Sequence, residues 1–120
     1  MTRYLLSVHS APDAAREPMT DAEMQESWQQ IQALETQMRS TGALVLSARL
    51  TGSESATVVR VSKGKAMATD GPFVEAKEHL GGFYLIEAPD LDAAIGWASK
   101  TSEIIHEPIE VRALAGFVEG

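Results

Sequence analysis

Asp70 stands directly before Gly71 and Pro72, with Phe73 next and Glu75, Lys77 and Glu78 close behind. A carboxylate held by a Gly-Pro turn beside an apolar ring could be desolvated enough to give or take a proton, the task of a general acid or base. The same Asp could instead bond only the backbone amides of its own turn. Glu75 and Glu78 could line a pocket with it, Lys77 neutralising one of them, or stand in solvent as Glu usually does. His9 carries the side chain that titrates near neutral pH, so it could shuttle a proton. Arg49 could meet a ligand carboxylate. Glu110 and Arg112 share one face of a short alternating stretch, and they could form a structural ion pair or offer Arg112 to an anion.

Other chemistries find less support. The chain has no cysteine, which removes thiol nucleophiles, disulfides and thiolate metal sites. His9, His79 and His106 show no ligand spacing with Asp70 or Glu75, so no metal centre is expected. Gly81-Gly82 precede a strand pattern, whereas a phosphate-binding loop needs a strand before its glycines and a helix after them. They read better as a bulge or a close passage past the Asp70 segment. No cofactor is expected.

These side chains need elements to place them. Tyr4 to His9 alternates, with Tyr4, Leu6 and Val8 opposite Leu5, Ser7 and His9, which predicts a strand. Thr20-Asp21-Ala22-Glu23 has the form of a capping box, and Met24, Trp28, Ile31, Leu34 and Met38 then recur at helical spacing until Gly42. Ala43 to Leu50 predicts a second strand. Thr57 to Ser62 and Lys65 to Thr69 flank Lys63-Gly64 as a tight hairpin. Gly82 to Ala88 is strand-like, Asp90 caps a helix carrying Leu91, Ala94, Ile95 and Ala98, and Ile109 to Leu114 alternates again. Trp28, Trp97, Phe83 and Tyr84 could line a pocket, though their helical or strand spacing suits core positions.

Strand, helix, strand, hairpin, strand, helix, strand is an α+β, ferredoxin-like split βαβ plan: an antiparallel sheet with both helices on one face and an inserted β-hairpin. The helix-covered face should take Leu6, Val8, Leu44, Leu46 and Val111. Ser7, His9, Ser47, Arg49, Glu110 and Arg112 should then share the other face, which a second copy could cover to close a partly polar lumen. One domain, residues 1–120, fits the length. The formal charge of −7 works against nucleic acid as a partner. No stretch approaches the apolar length of a membrane span, and the first residues are too short an apolar run for a signal peptide, so a cytoplasmic protein is expected.

Asp70-Gly71-Pro72-Phe73, Glu75, the Lys77-Glu78 pair and Gly81-Gly82 before an aromatic strand resemble the YCII-related proteins of the DGPF type. The resemblance runs from Tyr4 to Leu114 and implies the dimeric α/β barrel superfamily, hence a homodimer. It fixes no activity. It also implies a link to extracytoplasmic-function sigma factors, whose genes often neighbour those of the family. Other YCII-like proteins carry a His on the first long helix, proposed as half of a His-Asp pair; here Gln25, Trp28, Gln29 and Gln32 occupy that stretch. The expected function is therefore small-molecule binding, with Phe73, the carboxylates after it, Lys77, Arg49, Glu110 and Arg112 around the ligand. The alternative is an enzyme with Asp70 or His9 as base, an isomerase or dehydrochlorinase-type lyase, or cofactor-free oxygenation, acting on a small aromatic or lactone.

Overall fold

The computed structural model describes residues 1–10, 19–72 and 78–120. Most of the expected Ala11–Met19 loop therefore lies outside the described residues, as do Phe73, Glu75 and Lys77. The elements are β1 (Thr2–Ser10), α1 (Asp21–Ser40), β2 (Leu44–Arg49), a single 3-10 turn (Ser53–Ser55), β3 (Thr57–Ser62), β4 (Lys65–Asp70), β5 (His79–Ala88), α2 (Leu91–Ile105) and β6 (Ile109–Ala113). Among the described residues, four strands form an antiparallel sheet in the order β2-β5-β1-β6, while β3 and β4 pair only with each other. The result is the expected ferredoxin-like α+β arrangement with a separate hairpin arm. Neither helix is long and apolar enough to cross a membrane.

Local chemistry sets the ends of the helices. The Thr20 hydroxyl accepts the Glu23 amide at 3.1 Å while the Glu23 carboxylate accepts the Thr20 amide at 3.4 Å, a reciprocal cap on α1. At the other end Gly42, at φ 77°, lets the Ala43 amide reach the Met38 carbonyl at 2.8 Å. Asp90 caps α2 by accepting from the Ala93 amide at 2.9 Å.

The core lies between the sheet and the two helices. Tyr4, Leu6, Tyr84 and Ile86 rise from the central strands to meet Leu34 and Met38 of α1 and Ala94 and Ala98 of α2. The two alanines are small enough to let α2 settle closely on the sheet. The apolar stripe of α1 is buried only in its second half, and Met24 and Trp28 remain exposed.

Register departs from the simple alternation on β2. Leu44 lies opposite Ile86, but Leu46 lies opposite Leu85, so Val45 is an extra residue in the strand. Because side chains alternate strictly along a strand, one inserted residue exchanges the faces of everything after it. Ser47 then pairs with Tyr84 and Arg49 with Gly82, on the helix side, while Leu46 turns to the open face and is 43% exposed. This corrects the expectation that Ser47 and Arg49 share the open face with His9, and that Leu46 is core. Glu110 and Arg112 do lie on the open face, opposite Ser7 and Leu5.

Candidate functional site

The inserted residue in β2 brings a polar group under α1. The Tyr84 hydroxyl, on β5, donates to Glu35 Oε1 of α1 at 3.1 Å, and the Ser47 hydroxyl of β2 donates to the same oxygen at 3.4 Å. Arg49 follows one turn of the pleat later, its guanidinium 4.6 Å from the centroid of the Trp28 ring on α1. Burial pushes the Tyr84 phenol well above its ordinary value, the Glu35 carboxylate beside it adds to that, and the Arg49 charge opposes it. Tyr84 is therefore a neutral hydrogen-bond donor throughout the physiological range. Glu35 and Tyr84 were not singled out by the sequence for any chemistry.

Beside this group is a cavity of about 210 Å³. Val8 and Gly82 form its floor on the sheet, Ile31 of α1 and Ile105 of α2 its apolar walls, and Ser47, Arg49 and Tyr84 its polar side. Gly82 is required here by space: a Cβ on it would stand 2.8 Å from the Ala48 carbonyl oxygen, so β2 and β5 close up only with glycine at this position. Gly81 is the extra residue that lets β5 pass from Gly82 opposite Val8 to Leu80 opposite His9. The close neighbour of the double glycine is thus β2, and its bulge faces β1. Among the described lining residues there is one cation, Arg49, and neither carboxylate nor imidazole. Such a cavity can hold a compact apolar body and bind one anionic group; it offers no base of its own.

The other sequence candidates lie elsewhere. Asp70 ends β4 opposite Thr57 at the root of the arm and is exposed. Gly71, at φ 93°, then turns the chain and donates its amide to the Ala56 carbonyl at 2.6 Å. Pro72 and His79 line a second recess of about 310 Å³ with Leu50 and Ala56. Glu78 is exposed beside it. On the open face, Arg112 Nη1 lies 3.9 Å from Glu110 Oε1, a solvent-facing pair of little energetic weight. Arg3 pairs with Glu87 at 3.0 Å, and its guanidinium lies 4.0 Å from the centroid of the Phe117 ring. His9 half-emerges on this face; its Nε2 is buried without a hydrogen-bond partner among the described residues. The single chain therefore does not bring Asp70, His9 and Arg112 into the cavity that Arg49 lines.

Comparison with known proteins agrees with the resemblance noted above. The YCII-related domain matches residues 2–117 of the chain. An uncharacterised protein of Rhizobium meliloti (strain 1021) is 37% identical over 92 residues, which covers 75% of this chain and 74% of that protein. The chain belongs to the YCII-related domain family.

Proposed function

We propose that this YCII-related domain binds a small organic anion in the cavity under α1, with its apolar part between Ile31 and Ile105 and its acid group on Arg49. The observation that carries the reading is the pairing of a mostly apolar space of about 210 Å³ with one cationic side chain, Arg49, among the described residues of its wall. Arg49 makes no ion pair among the described residues, and its stacking on Trp28 holds the guanidinium plane in place without using its donors. The domain acts as a cytoplasmic homodimer joined through the open sheet face, where Leu5, Leu46, Phe83 and Leu85 are uncovered or half-covered in the single chain. The family resemblance supports an extracytoplasmic-function sigma factor as the protein that responds to the ligand, and a pull-down with such a factor tests that branch.

Benzoate, a flat ring with one carboxylate, is a suitable first probe. It should bind the wild-type protein by calorimetry and shift the Trp28 and Tyr84 resonances. Arg49→Met should weaken it about 10- to 100-fold, the range for one lost charge-assisted hydrogen bond of about 1.5–3 kcal/mol. Benzoate bound equally well by the variant, or resonances that move only on the open face, would overturn the placement.

One observation favours a second reading, acid/base chemistry of the isomerase or dehydrochlorinase type. The buried Nε2 of His9 has no hydrogen-bond partner among the described residues, which leaves one ring nitrogen for a substrate or a proton. His9→Gln separates the two readings: it leaves benzoate binding intact, and under the second reading it abolishes turnover of a small aromatic or lactone substrate.

A further inference from the structure

The hairpin arm is the part of the molecule that its own chain leaves unexplained. Among the described residues, β3 and β4 make substantial contact only with each other. Their register sets Val59 opposite Ala68 and Val61 opposite Ala66, so the four form one apolar strip, with Val59 65% and Val61 69% exposed. An isolated two-stranded hairpin is marginal in water, and stability normally requires a third strand or a packed apolar face. The turn at its tip is nevertheless built to last: Lys63 at φ 53° and Gly64 at φ 75° form the tight two-residue turn whose twist matches the strands. The chain is also more extended than a compact one of its length. Its radius of gyration is 16.6 Å, whereas a compact chain of this length would have about 14 Å.

Charge identifies what such an arm meets. Arg60, Lys63 and Lys65 against Asp70 leave residues 57–70 at +2, while the whole chain stands at −7, so everything outside the arm stands at −9. A basic arm that makes no substantial contact with its own acidic body among the described residues is complementary to the body of another copy.

We propose that the β3–β4 arm is a clasp between protomers: the arm of each copy lays its Val59, Val61, Ala66 and Ala68 strip on the acidic body of a second copy. The inference rests on the homodimer reading above and adds the arm to it. Burying the strip supplies a packed face for the hairpin, and the lysines at its tip, which form no ion pair among the described residues, reach acidic groups of the second copy. The clasp is exchanged symmetrically, as a two-fold dimer requires.

Sedimentation equilibrium on three proteins tests it. The wild type should be a dimer whose dissociation constant rises with added salt, because the complementary charges are screened. Val59→Asp with Val61→Asp should raise the dissociation constant at least 10-fold, and circular dichroism should show the sheet and helices intact, since both side chains are exposed in the single chain. Lys63→Glu with Lys65→Glu changes only the tip, where folding is not at stake, and should weaken the dimer and remove most of its salt dependence. A wild-type dimer that neither double variant weakens beyond 2-fold refutes the clasp and leaves pairing through the open sheet face standing. A monomeric wild type at about 100 μM, roughly a hundred thousandfold above a nanomolar dissociation constant, refutes both.

Discussion

Tyr84→Phe removes one oxygen atom from the site and leaves the ring in place. The hydroxyl donates to Glu35 at 3.1 Å from a position 5% exposed. Hydrogen bonds to charged groups contribute about 1.5–3 kcal/mol net. Glu35 is half-exposed and partly recovers its loss from water, so the contribution falls at or just below the bottom of that range, about 1–1.5 kcal/mol, or roughly 3–9 °C in Tm for a chain of this size. The pH dependence gives a second, independent reading. The phenol of Tyr84 is raised above its ordinary value of 10.0 by burial, then by Glu35. Above that pH the unfolded chain gives up the proton and the folded one keeps it, so the contribution is complete below pH 10 and is lost as pH climbs past it. One proton corresponds to a slope of up to about 1.4 kcal/mol per pH unit. The phenylalanine variant lacks this slope. Urea unfolding followed by far-ultraviolet circular dichroism from pH 7 to about 11 should give two stability curves that are separated at neutral pH and converge near the top of the range. Equal stability at pH 8, or curves that stay parallel through pH 11, would refute the view that Tyr84 and Glu35 are joined beneath α1.

Two further substitutions probe how the site is held. Gly82→Ala places a methyl group 2.8 Å from the Ala48 carbonyl, and because that neighbour is backbone the strands must part; thermal unfolding should show a loss of about 1–3 kcal/mol. Thr20→Ala breaks the reciprocal cap of α1 and should cost about 1 kcal/mol by the same measurement, with Glu23→Ala less than additive to it.

The order of elements, both helix caps and the hairpin were legible because each rests on neighbours in the chain. Thr20 and Glu23 are three residues apart, and Lys63-Gly64 is a turn in its own right. The faces of β2 were not legible. Leu44-Val45-Leu46-Ser47 reads as unbroken alternation, and the extra residue appears only once β5 fixes which residues stand opposite each other. That single register change moved Ser47 and Arg49 from the open face to the helix side, and with them the candidate site. Glu35 carried a faint signal: a carboxylate one place from Leu34 of the apolar stripe, in a chain with a tyrosine on a central strand that needs a partner. The prominence of Asp70-Gly71-Pro72 pointed to chemistry, whereas the middle residue is accounted for by the path of the backbone: Gly71 supplies a left-handed turn and the bond that closes the arm at its root.

That closing bond between the Gly71 amide and the Ala56 carbonyl makes the arm a detachable module of the fold. Residues beyond it can be trimmed or extended in matched couples, one from each strand, without altering the register of anything nearer the helices. Arm length is then free to drift among relatives, and with it how tightly any clasp is held, while the floor of the cavity stays under the strict spacing of Gly82 and Ala48.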